Sequence, residues 1–255
     1  MHRFEDKVVL ITGAGAGIGR RFAHRFAGAG AAVVVTDLDP AAAARVADEL
    51  GVHGVAALGL AMDVGHADAV QDAVRAAVDR FGGIDVLVNN AGIHLEHAQL
   101  PFTLEALPAW RHVLEVNVLG VLACAAACRP VMAGREGAAV VNMSSMAAWM
   151  GAGAYGVSKV GVNSLTVSLA EAFAPDGIRV NGIAPGLVDS ESAVVWMNDP
   201  DRAGIQDALV AGQMIKRPGR MDDLVDAGMF LCSAEASFVT GQTLLVDGGY
   251  VRRPL

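Results

Sequence analysis

The stretch KVVLITGAGAGIG, residues 7–19, decides the fold class of this chain. A short aliphatic run leads directly into a glycine-rich turn, and an Ala-rich pattern typical of a helix follows. Gly13, Gly17 and Gly19 permit a tight turn and a close approach of the backbone to a ligand, while the amides of a helix N-terminus favour a phosphate. The stretch therefore predicts a strand, a phosphate-binding turn that includes Ile18, and a helix.

The same alternation of short apolar runs and longer helical patterns continues along the chain. The short runs are almost continuously apolar, as expected for strands that are buried on both faces. Repeated βα units predict a parallel sheet with helices on both faces, so we expect an α/β, Rossmann-type doubly wound fold of about seven strands in one domain, residues 1–255. The predicted strands are 7–12, 32–37, 54–63, 84–90, 138–145, 178–185 and 243–248, and the predicted helices are 18–29, 41–50, 66–81, 103–133, 154–174 and 222–234.

Composition excludes several classes of function. The net charge is −8 and the basic residues are scattered, so we expect neither a nucleic-acid partner nor binding to an anionic membrane surface. The N-terminus lacks the pattern of a signal peptide, and polar residues and glycines interrupt the uncharged stretch 137–158, so no membrane segment is predicted. Cys124, Cys128 and Cys232 lack framework spacing, which indicates core packing and a cytoplasmic location.

Asp37 ends the second predicted strand and is the second candidate ligand group. A carboxylate at this position can accept hydrogen bonds from both hydroxyls of an adenosine ribose, and it would repel a 2′-phosphate. Neither Leu38 nor Ala16 supplies a compensating positive charge. The alternative is a solvated turn residue. The sequence favours NAD over NADP as the cofactor.

With NNAG at residues 89–92, the pattern resembles the short-chain dehydrogenase/reductase family over nearly the whole chain. The segments TGAGAGIG (12–19), NNAG (89–92), YGVSK (155–159) and PG (185–186) occur in that family's order, and two later segments, RPGRMDDL (217–224) and TGQTLLVDGG (240–249), do so as well. The resemblance implies a nicotinamide cofactor along the C-terminal edge of the sheet. It also implies a catalytic asparagine, serine, tyrosine and lysine.

The catalytic residues that the resemblance implies are Asn117, Ser145, Tyr155 and Lys159. The spacing from Ser145 to Tyr155 is ten residues, shorter than in the commonest family pattern. We expect Gly151 and Gly153 to let the shortened loop turn tightly and bring Trp149 near the substrate mouth. Successive residues of an extended chain point to opposite sides, so we expect Ser145 to orient the substrate oxygen, whereas Ser144 points away.

The resemblance also implies a set of cofactor-binding residues and an assembly. Residues 186–221 form the longest connection and are expected to cover the substrate, and the C-terminal segment resembles family tails that pack in homotetramers. Trp196 and Met197 in this lid either line the pocket or pack at an interface. His94 and His97 are read as loop residues, and no metal is expected. The implied cofactor ligands are Gly13, Gly17, Ile18, Gly19, Asp37, Asp63, Val64, Asn89, Ala91, Gly92, Tyr155, Lys159, Pro185, Gly186, Val188 and Ser190.

The chemistry of hydride transfer agrees with this set. Oxidising an alcohol requires a base for the hydroxyl proton, and a free tyrosine is a poor base at neutral pH. The ammonium of Lys159, together with a positive nicotinamide, would favour the phenolate of Tyr155 and also hold the ribose hydroxyls. Asn117 would support a water that links Lys159 to solvent. Taken alone, each of these residues has an ordinary structural explanation, and their joint placement after successive strands favours catalysis.

These observations predict an NAD-dependent oxidoreductase that acts on a small-molecule secondary alcohol or ketone, with Tyr155 as the general acid and base. A 3-oxoacyl-thioester reductase is the nearest enzymatic alternative, although Asp37 argues against the NADPH such enzymes usually use. A regulator that binds NAD without turnover is the alternative from another class, and the intact catalytic set argues against it.

Overall fold

The computed structural model describes residues 3–93, 100–190 and 204–252. Within them, seven strands form one parallel sheet in the order β3-β2-β1-β4-β5-β6-β7. This confirms the predicted Rossmann-type doubly wound fold. The strands are β1 Val8–Thr12, β2 Ala32–Asp37, β3 Ala57–Ala61, β4 Val86–Asn89, β5 Ala139–Met143, β6 Arg179–Pro185 and β7 Thr243–Val246.

Helices cover both faces of the sheet. On one face, α1, α2 and α8 pack against the strands, and on the other face α3, α5 and α6 do so. The three cysteines are buried in these two clusters, as predicted. The α-helices of the described residues are α1 Gly17–Gly28, α2 Pro40–Val52, α3 Ala67–Phe81, α4 Leu107–Leu114, α5 Gly120–Met132, α6 Gly153–Phe173, α7 Ile205–Gly212 and α8 Met221–Cys232.

Strand β1 shows why the apolar runs are continuous. Val9 and Ile11 face the cluster under α1, whereas Val8 and Leu10 face the cluster under α3 and α5. All five residues of β1 are buried. Full burial of one such side chain contributes about 1.5–3 kcal/mol, so both faces of the central strands stabilise the fold.

The predicted helix 103–133 is not one regular helix. A 3₁₀ turn at Leu104–Ala106 precedes α4, and a π-helical turn at Glu115–Leu119 separates α4 from α5. This turn contains Asn117, whose side chain bonds to the backbone of Ile93 and to Ser158. A π-turn places an extra residue in the helix, and such turns are frequent at functional sites. The apolar periodicity of the sequence does not reveal it.

The stretch Leu104–Met132 also satisfies the length and composition of a membrane span, with a mean hydropathy of 1.5 over an 18-residue window. Its C-terminal part, α5, packs against α3, α6 and β4 and contributes Cys124 and Cys128 to the core. The apolar character of α5 therefore has a structural cause within the fold.

The segment 186–221, predicted as a lid, contains an additional helix, α7, that the sequence pattern did not predict. Val188 and Gly219 pair as a parallel bridge, so the two ends of the segment lie together. After α7, the amides of Met214 and Ile215 donate to the carbonyl of Gly248 in the C-terminal tail. Residues 191–203, with Trp196 and Met197, lie outside the described residues, as do His94 and His97.

Candidate cofactor and catalytic site

The site lies where the order of the sheet reverses. From β1 the chain continues to β2 and β3 on one side, and β4, β5 and β6 follow on the other, so a crevice opens between the C-terminal ends of β1 and β4. Ligands bind at such a switch point in doubly wound sheets. The motifs at 12–19, 89–92 and 185–186 stand at the ends of β1, β4 and β6, which meet at this edge.

Two residues that the sequence reading did not single out, Thr12 and Asn90, join the loops of this crevice. The hydroxyl of Thr12 accepts from the amides of Asn90 at 3.0 Å and Ala91 at 2.9 Å. The side chain of Asn90 donates to the carbonyls of Thr12 and Gly13, each at 2.9 Å. Both residues stand directly at strand ends, which is the signal that could have identified them.

The glycine-rich turn has no room for side chains at two of the predicted positions. A Cβ on Gly13 would lie 2.8 Å from Cα of Ala91, and one on Gly19 would lie 2.4 Å from the carbonyl oxygen of Gly13. Gly13 and Gly17 also have positive φ values of 62° and 54°. A side chain would clash at Gly13 and Gly19, and a left-handed backbone strains other residues at Gly13 and Gly17, so glycine is required at these positions.

Helix α1 begins at Gly17, and no side chain of the described residues caps its N-terminus. The first amides of a helix have no partner within the helix, so those of Gly17, Ile18 and Gly19 remain to bind a ligand. The side chain of Ile18 packs against the core. A bare helix N-terminus beside a tight glycine turn fits a pyrophosphate.

The carboxylate of Asp37 is held at the end of β2. One oxygen accepts from the amide of Gly15 at 2.8 Å, and the other accepts from the amide of Asp39 at 3.0 Å. The carboxylate is therefore fixed against the glycine-rich turn. Each oxygen keeps a second lone pair for another donor.

Asp63 and Val64 follow β3. The carboxylate of Asp63 accepts from the amide of Gly65 at 2.9 Å, and its second oxygen lies 2.9 Å from Nδ1 of His66. Val64 is buried against Gly120 at the start of α5. The structure thus places both residues at the same edge as Asp37, on the side of β3.

The side chain of Asn89 does not face the crevice. It is buried and donates to Oδ1 of Asn142 on β5 at 2.9 Å, and its own Oδ1 has no partner among the described residues. The bond to Asn142 holds this side chain against β5, and the ligand role of Asn89 stays a prediction. Ala91 and Gly92, by contrast, lie against Gly13 and against the amide of Asn117.

The residues after β6 form the wall of the crevice beside β7. Pro185 ends β6, and a Cβ on Gly186 would lie 2.6 Å from Cα of Asp247, so this glycine permits a close approach of two chains. Val188 and Ser190 are both buried, and the amide of Ser190 donates to the carbonyl of Val188 at 2.9 Å.

Ser145 and Tyr155 are brought together by the short loop between β5 and α6. Ser145 follows the strand and accepts from the amide of Ala147 at 3.1 Å, which starts a 3₁₀ turn over Met146–Trp149. Its side chain also hydrogen-bonds to Tyr155. Gly153 opens α6 with a φ of 55°, as expected, whereas Gly151 does not adopt a positive φ.

Ser144 faces away from the phenol. Its hydroxyl donates to Oδ1 of Asn163 at 2.6 Å and is buried. The alternation along an extended chain therefore separates the two serines, so that Ser145 and not Ser144 meets Tyr155.

Lys159 is buried one helical turn after Tyr155. Its Nζ donates to the carbonyl of Met143 at 2.8 Å and lies 5.5 Å from the centre of the Tyr155 ring. A Cβ added to Gly92 would lie 3.6 Å from this Nζ. The ammonium thus lies between the end of β5 and the NNAG loop.

Removal from water shifts the pKa values of both Tyr155 and Lys159. Burial raises the pKa of Tyr155 to about 12, and the hydrogen bond from Ser145 opposes this rise. Burial also lowers the pKa of Lys159 to about 8. Removing either group from water penalises its charged form, and here this penalty dominates. For the cofactor-bound protein, the lowered pKa of Tyr155 stays a prediction.

Asn117 is fixed by a backbone segment and by a serine. Its Oδ1 accepts from the amide of Ile93 at 2.7 Å, and its Nδ2 donates to the carbonyl of Ile93 at 2.6 Å. The same Nδ2 donates to Oγ of Ser158 at 3.0 Å, and Ser158 donates in turn to the carbonyl of Tyr155. Ser158, which the sequence reading did not select, thus connects Asn117 to α6.

Together these residues can hold an oxygen and move a proton. A phenol and a serine hydroxyl are hydrogen-bonded to each other, a buried amine lies one turn behind them, and the glycine-rich turn lies at the same edge of the sheet. This combination suits an alcohol or carbonyl group placed beside a bound nucleotide.

Known proteins are similar to this chain in sequence and in fold. A family model described as enoyl-(acyl carrier protein) reductase matches residues 13–251. An uncharacterized oxidoreductase of Mycobacterium tuberculosis is 41% identical over 98% of this chain and 99% of its own. Cis-4-hydroxycyclohexanecarboxylate dehydrogenase of Sinomonas cyclohexanicum is 37% identical over 97% of each chain.

Solved structures agree with these matches. A hydroxysteroid dehydrogenase from Escherichia coli superposes with a TM-score of 0.85 at 32% identity over 98% of each chain. Dehydrogenases with this fold use a nicotinamide cofactor, and the glycine turn fits one. The chain belongs to the short-chain dehydrogenase/reductase family of oxidoreductases.

Proposed function

We propose that this protein is an NAD-dependent oxidoreductase that interconverts a secondary alcohol and a ketone. The observation that carries the proposal is the hydrogen-bonded pair of Ser145 and Tyr155 in front of the buried Lys159. A nucleotide-binding regulator has no need of this arrangement, because binding alone requires no proton transfer.

Each side chain of the pair has a distinct task. Ser145 orients the substrate oxygen, and Tyr155 takes the hydroxyl proton during oxidation and returns it during reduction. When bound, the nicotinamide cofactor supplies the hydride acceptor or donor. Lys159 holds the ribose hydroxyls and favours the phenolate when it is charged, while Asn117 supports the water that links Lys159 to solvent.

The cofactor would lie along the C-terminal edge of the sheet. The amides of Gly17, Ile18 and Gly19 would hold the pyrophosphate, and Asp63 with Val64 would border the adenine. Ala91 and Gly92 would line the middle of the site. The segment from Pro185 and Gly186 through Val188 to Ser190 would meet the nicotinamide end.

Asp37 supports NAD in particular. Its carboxylate is fixed against the glycine-rich turn, where a dinucleotide places its adenosine ribose, and it would repel a 2′-phosphate. We further propose a cytoplasmic location and a homotetramer, with a small-molecule alcohol or ketone as the substrate.

Cofactor preference is tested with the two dinucleotides. We expect kcat/KM for NAD to exceed that for NADP at least tenfold, which corresponds to about 1.4 kcal/mol. The double substitution Asp37→Ser with Leu38→Arg should move the preference toward NADP. Equal kcat/KM values in the wild type would contradict the proposed role of Asp37.

A 3-oxoacyl-thioester reductase is the second candidate, and the matching family model, described as an enoyl-(acyl carrier protein) reductase, is compatible with it because both descriptions concern acyl thioesters. A substrate panel separates the two functions. Turnover of secondary alcohols with NAD supports the first, whereas reduction of a 3-oxoacyl thioester alone supports the second. Cofactor binding without turnover of any member of the panel would favour a regulator.

A further inference from the structure

The glycine-rich turn is tied to helix α2 as well as to β2. The amide of Gly15 donates to Asp37, and the carbonyl of the same residue accepts from Nη2 of Arg45 at 2.8 Å. A Cβ on Gly15 would lie 2.6 Å from Cβ of Ala42, so the turn rests directly on α2. Both polar groups of Gly15 are therefore held by side chains on either side of the turn.

The guanidinium of Arg45 is itself held by a carboxylate that reaches α1. Its Nε lies 3.8 Å from Oε1 of Glu49, one turn further along α2. The other oxygen of Glu49 accepts from Nε of Arg20 on α1 at 2.9 Å and lies 3.0 Å from Nε2 of His24. Glu49 thus links α1, the helix that follows the turn, to Arg45 on α2. Arg45 in turn binds Gly15 in the middle of the turn.

This connection matters because the backbone of a glycine rotates easily about the two bonds at its Cα. Gly15 has no side chain to restrict its backbone, so its conformation depends on what its amide and carbonyl bind. The amide and the carbonyl of Gly15 belong to two peptide units that join at its Cα. If the carbonyl loses its donor, the backbone dihedrals of Gly15 are less restrained, and the amide is held less firmly toward the carboxylate of Asp37. Arginine suits this task because its guanidinium stays charged at all relevant pH values.

We propose that Arg45 is a positioning residue for the adenosine end of the cofactor: it fixes the backbone of Gly15 so that Asp37 is oriented to meet the ribose hydroxyls. This role rests on the proposed use of NAD. Arg45 acts through Gly15 and Asp37 and needs no contact with the cofactor.

The test compares dissociation constants for NADH, measured by protein–cofactor fluorescence, in the variants Arg45→Met and Arg45→Lys. We expect Arg45→Met to raise the dissociation constant about five- to tenfold, because a charge-assisted hydrogen bond is lost. Its kcat at saturating NAD should change less than about twofold, since the substitution leaves the proton-transfer residues in place. Arg45→Lys should restore part of the affinity, because an ammonium can also donate to the carbonyl.

The matched control is Arg75→Met, since Arg75 is an exposed arginine of α3 that pairs with Asp72 on the same helix. It should leave the dissociation constant unchanged. Thermal unfolding of each variant checks that the fold is intact, which is expected because the Arg45 side chain is 58% exposed.

Two results would overturn the role of Arg45 and leave the proposed function standing. One is an unchanged dissociation constant for NADH in Arg45→Met. The other is weaker binding of NADPH alone, which would make the guanidinium a partner of a 2′-phosphate. A wild-type preference for NADP would contradict the proposed function itself, and that result comes from the wild type without any variant.

Discussion

Tyr155 and Lys159 lie one helical turn apart on α6. Burial raises the pKa of Tyr155 and lowers that of Lys159, so it favours the neutral form of each side chain. The phenol is therefore protonated at neutral pH in the protein without cofactor. Within the described residues, the ammonium of Lys159 makes one hydrogen bond, to the carbonyl of Met143. This bond replaces only part of the hydration that the ammonium loses on burial. Burial of an ammonium here destabilises the fold, and the proposed proton-transfer role would account for its presence.

Replacing Lys159 tests this conflict between stability and activity. The fall in the pKa of Lys159 from 10.5 to about 8 corresponds to a loss of about 3 kcal/mol in the free energy of unfolding at neutral pH. A substitution that removes the ammonium recovers this loss, but it also removes the bond to Met143, which contributes about 1 kcal/mol. We expect Lys159→Met to raise the free energy of unfolding by about 2 kcal/mol at pH 7, and to lower kcat by orders of magnitude. Urea unfolding and initial rates measure the two effects.

The pH dependence of that gain has a definite sign. Between about pH 8 and 10.5 the unfolded chain still binds a proton on Lys159 that the folded protein has released, so the contribution of Lys159 to wild-type stability rises with pH in this window. The gain of Lys159→Met over wild type should therefore be largest below pH 8 and should reverse by about pH 10.5, where only the loss of the bond to Met143 remains. A variant that is less stable than wild type at pH 7 would show that the ammonium is not under strain.

The two adjacent serines allow a matched comparison. Ser145→Ala removes the hydroxyl that bonds to Tyr155, and we expect kcat to fall about 10²- to 10³-fold. Ser144→Ala removes the bond to Asn163, so we expect a loss of stability of about 1 kcal/mol and only a modest change in kcat. The opposite order of kcat values would transfer the substrate-orienting role to Ser144.

At the scale of elements, the turn between β1 and α1 depends on its glycines because backbone lies where a Cβ would be. Gly19→Ala would place a methyl group 2.4 Å from the Gly13 carbonyl oxygen and 2.6 Å from the Asn90 amide. We expect this variant to lose NADH binding at concentrations that saturate the wild type.

The control for Gly19→Ala is Gly28→Ala at the other end of the same helix. Apart from the adjoining residues and the backbone of α1 itself, no atom in the described parts of the chain lies within 4 Å of a Cβ there, and alanine is the better helix former. This variant should bind NADH as the wild type does and unfold at the same or a higher temperature. Normal binding by Gly19→Ala would mean that the turn can open without losing its ligand.

A strand or helix could be predicted from the sequence where burial alone sets the pattern of its residues. Strands such as β1 are buried on both faces, so their apolar runs identify them. The helix 103–133 could not be predicted correctly, because its π-turn depends on the bonds of Asn117 to Ile93 and Ser158, residues distant in sequence. The bond between Asn89 and Asn142 on the neighbouring strand could not be predicted for a related reason.

The site could be predicted from motifs at strand ends, because the parallel sheet brings those ends to one edge. Arg45 could not, since a lone arginine in an Ala-rich helix gives no signal until the fold places it over Gly15. Likewise, the pKa values of Tyr155 and Lys159 depend on burial, which the Y-x-x-x-K spacing does not reveal.

At the scale of the whole molecule, α5 and α6 expose an apolar face that suits assembly. Leu122 on α5 and Val157, Val160 and Val167 on α6 are all at least 40% exposed, on two helices that pack side by side. We expect the protein to elute with a mass several times the 26.2 kDa of one chain in light-scattering chromatography.

Charged substitutions on this face test its part in assembly. Val160→Glu with Val167→Glu should reduce the measured mass, because two carboxylates would be buried at an apolar interface. Val52→Glu, on an exposed valine at the end of α2, is the control and should leave the mass unchanged. A wild type that elutes as a single chain would refute the proposed tetramer.

The central claim is that Tyr155 transfers the substrate proton in an NAD-dependent oxidoreductase. The most direct measurement is the rate of NADH formation, followed by fluorescence, for wild type and Tyr155→Phe with a panel of secondary alcohols. We expect the wild type to turn over at least one alcohol and Tyr155→Phe to lose about 10²- to 10⁴-fold in kcat while it still binds NADH. A Tyr155→Phe variant that forms NADH at the wild-type rate would contradict the account.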